Sequence, residues 1–289
     1  MHDVLSGYVE RRMMLVEGDL HRAAGESAAM LRITTFNANG IRAAARKGFF
    51  TWLRRTSPDV LCMQETKAQE HQLPPEALDL DMYRRYAFVD AQKKGYSGVA
   101  LYAKVEPDAI MRGLGMPDID AEGRYVRFDW GDLSISSLYV PSGTSGEARQ
   151  AIKDGFLERF LGTLAEMRHD GRRHIVCGDY NVAHREIDTF DPVRNAHVTG
   201  HLPHERVWMD SVIDEVGWVD AFREADREPR RYTWWSNWPG AFERNLGWRI
   251  DLQLITPNLS SFVRGASIER NERFSDHAPL TMTYDLALR

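Results

Sequence analysis

The sequence predicts an α/β protein in which helices cover mixed β-sheets. From Leu31 onwards, short apolar runs typical of strands alternate with longer segments that have helical periodicity. Two of the strand-like runs, Tyr125–Trp130 and Leu133–Val140, are separated only by the turn Gly131-Asp132, which is typical of a β-hairpin. Because hairpins occur beside helical connections, a layered α/β sandwich is the expected architecture.

The periodicity also predicts the other main elements. Further strands are expected at Leu31–Phe36, Pro58–Met63, Gly98–Tyr102, His174–Cys177, Trp248–Thr256 and Ala278–Tyr284. Helices are expected at Lys47–Arg55, Glu147–Arg168 and Glu205–Glu215. The apolar face of the longest helix is predicted from the spacing to consist of Ile152, Phe156, Phe160, Leu164 and Met167.

The chain is expected to form a single domain over residues 30–289, because no internal repeat and no Gly/Ser/Pro-rich linker interrupts it. The first 29 residues differ in composition from the rest of the chain: they mix charges of both signs and lack the apolar core of a secretory signal. We expect residues 1–29 to be a disordered extension, or to precede a natural start at Met30.

Composition excludes several classes of protein. Of the 289 residues, 43% are hydrophobic, which is typical of a globular chain, and the net charge of −5 argues against a protein that coats DNA. It does not exclude a DNA enzyme, since a metal site is itself acidic. Cys62 and Cys177 lie in apolar runs, so we expect buried reduced thiols in a cytoplasmic protein, and no apolar run is long enough to span a membrane.

Polar residues stand where the predicted strands end, and loops at strand ends often carry function. These residues are Asn37, Glu65, Tyr139, Asp179, Asp251, Asp276 and His277. Each carboxylate taken alone could be a helix cap or a surface ion pair. Four carboxylates beside buried runs are costly unless they are paired or bind a cation, so together they predict a site for a hard divalent ion such as Mg²⁺ or Mn²⁺.

This set of side chains suits the hydrolysis of a phosphodiester. A buried Asp179 with a raised pKa could handle a proton, and Asn181 and Tyr139 could donate hydrogen bonds to phosphate oxygens. His277 is the candidate imidazole, with Asp251 to orient it. No serine or cysteine nucleophile accompanies this pair.

Seven strings in this order resemble the exonuclease III family of abasic-site endonucleases. They are Phe36–Arg42, Gln64–Lys67, Gly98–Tyr102, Tyr139–Gly143, Gly178–Asn181, Trp248–Asp251 and Ser275–Pro279. The resemblance covers essentially all of residues 30–289. It implies a four-layer α/β sandwich of the DNase I type and a DNA-repair phosphodiesterase that depends on Mg²⁺, or on Mn²⁺ in its place.

The resemblance also implies roles for individual residues. The metal would be held by Glu65 with Asn37 and Asp276, and Asp179, Asn181 and His277 are further candidate ligands. Catalysis would involve Tyr139, Asp179, Asn181, Asp251 and His277. DNA would be contacted by Asn39, Lys67, Trp234, Trp248 and Ile250, the last three forming an apolar pocket for a flipped-out sugar without a base.

The resemblance further implies that the protein is a monomer and that it acts on double-stranded DNA with abasic sites or blocked 3′ ends. Asn39 departs from the pattern, because some members of the family carry Asp there. The aromatic residues could instead be ordinary core. Two other functions also stay open: a catalytically silent nucleic-acid-binding regulator on the same fold, whose acidic site residues would be lost, and a phosphatase acting on phosphoinositides or sphingomyelin.

Overall fold

The computed structural model describes residues 30–289, so the expectations for residues 1–29 lie outside the described residues. The strands, numbered along the chain, are β1 (Met30–Asn37), β2 (Val60–Gln64), β3 (Arg85–Val89), β4 (Val99–Ala103), β5 (Ala109–Arg112), β6 (Tyr125–Trp130), β7 (Leu133–Tyr139), β8 (Arg173–Asp179), β9 (Val219–Asp220), β10 (Trp234–Trp235), β11 (Gly247–Trp248), β12 (Asp251–Ile255), β13 (Val263–Ile268) and β14 (Leu280–Asp285).

Two six-stranded sheets pack face to face. The strand order is β13-β14-β1-β2-β4-β3 in the first sheet and β5-β6-β7-β8-β12-β9 in the second, and β10 pairs with β11 separately. Each sheet is mixed, with one parallel pair near its centre, β1–β2 in the first and β7–β8 in the second. Between the sheets lies an apolar core that includes Ile33, Leu101, Phe128 and Ile135.

Helices cover the outer face of each sheet. The α-helices are α1 (Ile41–Arg46), α2 (Phe49–Thr56), α3 (Pro75–Leu78), α4 (Pro117–Asp120), α5 (Glu147–His169), α6 (Pro192–Asn195), α7 (Pro203–Asp210) and α8 (Ala221–Ala225). Helices α1 and α2 pack on the first sheet, and α5 and α7 pack on the second. The order is therefore helix, sheet, sheet, helix, which confirms the predicted four-layer sandwich. Within residues 30–289, none of the helices combines the length and apolarity needed to cross a bilayer.

The parallel pairs explain where the polar strand ends lie. In the first sheet, Asn37 is in register with Gln64, directly before Glu65, and in the second sheet Tyr139 is in register with Asp179. Strand β12 runs antiparallel to β8 and begins at Asp251, which faces Asp179 across the ladder. Carboxyl ends of parallel strands meet at one edge of a sheet, and here the two sheets bring those edges together.

The predicted elements were largely found, with four local differences. The helix predicted at Glu205–Glu215 consists of α7 followed by a π-helical segment, Ser211–Glu215. The segment predicted as one helix at Lys47–Arg55 begins only at Phe49, because Gly48 adopts a positive φ of 88° between α1 and α2. The strand predicted at Trp248–Thr256 is divided into β11 and β12. On α5, Ile152 is exposed, and the neighbouring Lys153 is buried instead.

A buried ion-pair network supports the segment before β11. Both oxygens of Asp188 accept hydrogen bonds from Arg249, at 2.8 and 3.1 Å, and Arg223 binds the same carboxylate. Burial alone would raise the pKa of Asp188, but the two guanidinium groups outweigh it and lower that pKa to about 2. Thr189, the next residue, forms a β-bridge with Trp248.

We expect Asp188→Asn to lower the free energy of unfolding by roughly 3 kcal/mol at pH 7, because the buried Arg249 then keeps only Asp220 as an ionic partner and Arg223 loses its carboxylate. The carboxylate of an unfolded Asp titrates near about 3.9. The contribution of Asp188 is thus complete above about pH 4 and is lost as the pH falls towards 2, by roughly 2.5 kcal/mol. Urea unfolding at pH 7, 4 and 2.5 measures both effects.

Asp118→Asn is the control, since Asp118 binds Arg159 on the surface and should change stability little. An Asp188→Asn variant as stable as the wild type at pH 7, with the same acid sensitivity, would contradict this account.

Candidate active site

Asn37 joins the two sheets at the edge where the polar strand ends meet. Its side-chain amide donates to Glu65 Oε2 at 2.9 Å in the first sheet and to Asp179 Oδ2 at 2.8 Å in the second. Glu65 and Asn181, which follow β2 and β8, adopt positive φ angles of 54° and 51°. Such backbone strain in residues other than glycine is typical of functional sites, and here it sharply turns the chain after both strands.

Asp179 is a buried carboxylate of this group. Burial raises its pKa to about 7; the charge of His277 opposes this shift, and that of Asp251 adds to it. The carboxylate also accepts hydrogen bonds from the backbone N–H of Asn181 at 2.8 Å and from the Asn181 side chain at 3.2 Å. A carboxyl group with such a pKa can exchange a proton near neutral pH.

His277 lies between two carboxylates. Its Nδ1 is 2.9 Å from Asp251 Oδ2, and its Nε2 is 3.9 Å from Asp179 Oδ2. Burial opposes protonation of the ring, but the charges of Asp251, Asp179 and Asp276 outweigh it and raise the pKa of His277 to about 10. The structure therefore favours an imidazolium that is held by Asp251 and directed towards Asp179.

A second chain of contacts runs from Glu65 to Asp276. Lys67 Nζ lies 2.8 Å from Glu65 Oε1 and also donates to Asn39 Oδ1. The Asn39 side-chain amide donates to Asp276 Oδ1 at 2.9 Å, and Trp234 Nε1 donates to Asp276 Oδ2 at 3.1 Å. Amide, ammonium and indole donors thus fix the orientation of both carboxylates.

The donor set fits a hard divalent cation. Two cationic side chains, Lys67 and His277, lie against the four carboxylates of Glu65, Asp179, Asp251 and Asp276, and one further cation, Arg149, is among the described residues that line the same cavity. Such an excess of partly buried negative charge is costly unless a cation balances it. The oxygens of Glu65, Asp276 and Asn37 are the ligand type that Mg²⁺, Mn²⁺ or Ca²⁺ prefers. This acidic cluster could therefore hold a metal ion.

Tyr139 stands on the other side of Asp179, at the end of β7. Burial raises the pKa of its hydroxyl well above 10, and the charges of Glu65 and Asp179 add to the shift. The hydroxyl therefore stays protonated at neutral pH and can donate a hydrogen bond. Arg124 is placed 4.8 Å from the Tyr139 ring centre and donates to the Tyr139 carbonyl at 3.0 Å, which fixes the position of the strand end.

These side chains line one cavity of about 410 Å³. The sequence-predicted residues in its wall are Asn39, Glu65, Lys67, Tyr139, Asp179, Asn181, Trp234, Trp248, Ile250, Asp276 and His277. The rings of Trp234 and Trp248 meet edge to face with centres 6.2 Å apart. Asn37 and Asp251 are not among the residues that line the cavity; Asn37 contacts Glu65 and Asp179 in the wall, and Asp251 contacts His277. The structure thus brings all the predicted site residues together.

Sequence reasoning missed part of the wall. The cavity is also lined by Tyr96, Ser142, Thr144, Ser145, Arg149, Val198, Thr199 and Gly200. Tyr96 and Arg149 contact each other, since the guanidinium of Arg149 donates to the Tyr96 hydroxyl. These residues lie on loops and at the first turn of α5, where periodicity gives no signal. Two hints were present: the string Tyr139–Gly143, which includes Ser142, and the string Lys93-Lys94-Gly95-Tyr96, in which cations stand next to an aromatic residue.

The pattern that defines the endonuclease/exonuclease/phosphatase family matches residues 34–277, which is most of the chain. The chain belongs to this family. The resemblance to the exonuclease III family deduced from the motifs is confirmed by individual relatives.

Three proteins illustrate how similar this chain is to other members of the family. An exodeoxyribonuclease of Bacillus subtilis is 34% identical over 89% of this chain and over the whole of that protein. The structure of an AP endonuclease from Archaeoglobus fulgidus is 31% identical, covers 89% of this chain and 100% of that one, and has a TM-score of 0.79. The structure of the 3′ phosphatase NExo from Neisseria, bound to a product DNA hairpin, is 25% identical with the same coverage and a TM-score of 0.80.

If the acidic cluster holds a divalent ion, the ion should stabilise this family member by mass action. We expect the Tm to rise with added divalent cation, since an ion at about 100 times its Kd contributes roughly 2.7 kcal/mol. Glu65→Gln, which retains the shape but removes one charge, should abolish most of that rise in a thermal-shift titration. Glu158→Gln on the exposed face of α5 serves as the control. An unchanged rise in Glu65→Gln would place the ion elsewhere.

Proposed function

We propose that this protein is a Mg²⁺-dependent DNA-repair phosphodiesterase of the exodeoxyribonuclease III type. It would cut double-stranded DNA at abasic sites, trim 3′ ends as an exonuclease and remove 3′-phosphates. The observation that carries this proposal is one cavity lined by Asp179, Glu65, Trp234 and His277, whose imidazole contacts Asp251 behind it. The relatives described above as an exodeoxyribonuclease, an AP endonuclease and a 3′ phosphatase support it.

Glu65, Asn37 and Asp276 are the residues that would hold Mg²⁺, and Mn²⁺ is expected to substitute for it. Asp179, Asn181 and His277 are further candidates from their position in the same wall. When bound, the ion would polarise a phosphate oxygen and neutralise developing charge. Lys67 and Asn39 would orient Glu65 and Asp276, because they hold these two carboxylates through the contacts described above.

The protein's own groups would supply the proton transfers. Asp179 would take a proton from the attacking water or donate one to the departing 3′-oxygen, since its pKa of about 7 suits both roles. His277, held as imidazolium by Asp251, would contact a non-bridging phosphate oxygen. Tyr139 and Asn181 would donate hydrogen bonds to the phosphate and add no negative charge where charge develops.

The aromatic part of the cavity would select the damaged nucleotide. Trp234, Trp248 and Ile250 form an apolar wall beside the acidic cluster, where a sugar without its base could be bound. A nucleotide that has lost its base is cheaper to flip out of the duplex, and an intact base would be too large for the pocket. Selection would thus need no hydrogen bond to a base.

The DNA backbone would be bound next to this cavity. A groove lined by Gly40, Arg42, Ala43, Arg46, Lys67 and Gly95 adjoins it through Lys67. The guanidinium groups of Arg42 and Arg46 could contact phosphates without reading sequence, and such binding weakens as salt rises. We propose a monomeric, cytoplasmic enzyme.

The alternatives are less well supported. A catalytically silent regulator would not need the acidic residues, yet Glu65, Asp179, Asp251 and Asp276 are all present and are held in place by specific donors. A lipid-headgroup phosphatase would share the acidic cluster but has no evident use for the tryptophan wall.

We expect Asp179→Asn to reduce cleavage of an abasic-site duplex in Mg²⁺ by a factor of at least about 10² to 10⁴, because the variant cannot exchange the proton. Glu65→Ala should cause a comparable loss, and EDTA should abolish wild-type cleavage. Initial rates on a labelled duplex, with circular dichroism to verify folding, test this. Turnover by Asp179→Asn close to the wild-type rate would refute the mechanism, and faster hydrolysis of a phospholipid headgroup would refute the substrate class.

Trp234→Ala should impair cleavage at an internal abasic site more than removal of a 3′-phosphate, because only the internal site requires a flipped sugar in the pocket. One gel assay with an internal abasic site, a recessed 3′ end and a 3′-phosphate measures the ratio. Trp130→Phe, at the distant end of the β6–β7 hairpin, is the control for general loss of an indole. Equal losses on all three substrates would contradict the pocket assignment.

A further inference from the structure

A buried lysine lies directly behind the catalytic wall. Lys153, on the inner face of α5, is fully buried, and its ammonium donates to the backbone carbonyl of Asn181 at 2.7 Å. The same ammonium is ion-paired with Glu205, a fully buried carboxylate in the first turn of α7. A buried ion pair often stabilises a fold no more than well-packed apolar side chains of the same size would. A role other than stability is therefore expected where such a pair occurs.

Glu205 uses both of its oxygens. Oε2 accepts the backbone N–H groups of Gly200 at 2.6 Å and Leu202 at 3.0 Å, and Oε1 accepts Gln150 at 3.0 Å in addition to Lys153. The pair therefore connects two helices to the loop Gly200–Leu202, of which Gly200 lines the cavity.

Both ends of this network meet at Asn181. The residue lies in the left-handed region with φ 51°, a conformation that asparagine adopts more readily than other residues with a side chain but that still needs support from its surroundings. Lys153 binds its carbonyl from the side of the helix. Gly200 packs closely against the same carbonyl. A Cβ at position 200 would lie 3.2 Å from that oxygen and 3.1 Å from the Trp248 ring.

We propose that the Lys153–Glu205 pair is a positioning device that holds Asn181 in its left-handed backbone conformation. It thereby fixes the Asn181 side-chain amide at the cavity wall, where the amide donates to the Val140 carbonyl at 3.0 Å and to Asp179 at 3.2 Å. The catalytic consequence rests on the proposed function; the positioning itself does not. Lys153 and Glu205 touch no substrate and act only through Asn181.

Lys104 provides a matched control in the same chain. Its ammonium donates to the carbonyl of Ser57 at 2.8 Å and to Asp59 at 3.1 Å, and Ser57 also has a positive φ, of 47°. Lys104 follows β4 at the end that pairs with Val60, opposite the site end of the sheet. It repeats the pair of contacts made by Lys153, although Lys104 is partly exposed where Lys153 is buried, and it has no access to Asn181.

The test compares the double variant Lys153→Met/Glu205→Gln with Lys104→Met. Removing both charges of the first pair avoids an unpaired buried ion and favours folding. We expect kcat for the abasic-site duplex to fall between about tenfold and 100-fold, with KM within about twofold, since misplacement of a group that acts in the transition state lowers kcat. Lys104→Met should keep the wild-type kcat even where its Tm falls equally.

A double-mutant cycle distinguishes positioning from general damage. In an Asn181→Ala background the Lys153→Met/Glu205→Gln change should cost no further activity, because its effect passes through the amide that is already missing. The proposal would be overturned if the Lys153→Met/Glu205→Gln change reduced kcat by the same factor in the Asn181→Ala background as in the wild type. An equal loss of kcat in Lys104→Met would overturn it as well.

A readout without activity separates this inference from the proposed function. The side-chain amide resonances of Asn181 in a ¹⁵N-labelled protein should shift in Lys153→Met/Glu205→Gln and stay in place in Lys104→Met. If the wild type does not hydrolyse DNA, the proposed function fails while this shift still tests the positioning. Unchanged Asn181 resonances would overturn the positioning whatever the activity.

Discussion

The hydrogen bonds that Asn37 donates to Glu65 and to Asp179 connect the two sheets, and the site depends on this connection. The two acceptors come from different sheets, and Asn37 and Asp179 are 142 residues apart in sequence. They meet because each sheet carries a parallel pair whose carboxyl ends reach the same edge of the sandwich. Face-to-face packing of the sheets therefore concentrates negative charge that neither sheet contains alone.

This concentration of charge accounts for the chemistry of the site. Burial raises the pKa of Asp179 and the charge of Asp251 adds to this shift, while the carboxylates around His277 outweigh the effect of its burial and raise the pKa of that imidazole. Hydrogen-bond donors from Asn37, Asn39 and Lys67 reduce the repulsion but do not cancel the charge. A divalent cation and a phosphate would complete the balance, which is why the arrangement suits phosphodiester hydrolysis.

Much of the fold and the site could be predicted from the sequence. The hairpin strand Tyr125–Trp130 has the predicted bounds, because a two-residue turn between alternating runs leaves little choice of register. The site residues were recognisable because carboxylates directly after apolar runs are unusual, and their ordered strings resemble a known family.

The contacts that support the site and the fold could not be predicted from the sequence. Helical periodicity assigned Ile152 to the buried face of α5, yet the structure buries Lys153, since Glu205 and the Asn181 carbonyl satisfy its charge. A hydrophobicity pattern cannot show that a lysine has an ionic partner in a distant segment of the chain. In the same way, Asp188 and Arg249 lie 61 residues apart, and only tertiary structure shows that they form a buried pair.

The central claim is that strand ends from both sheets form one divalent-ion site. The most direct test is an anomalous difference map from crystals of the wild-type protein soaked in Mn²⁺. The account predicts a peak about 2 Å from a Glu65 carboxylate oxygen, in the cavity that Asp179 and His277 also line. A map at saturating Mn²⁺ without a peak at Glu65, or with its only peak outside this cavity, would contradict it.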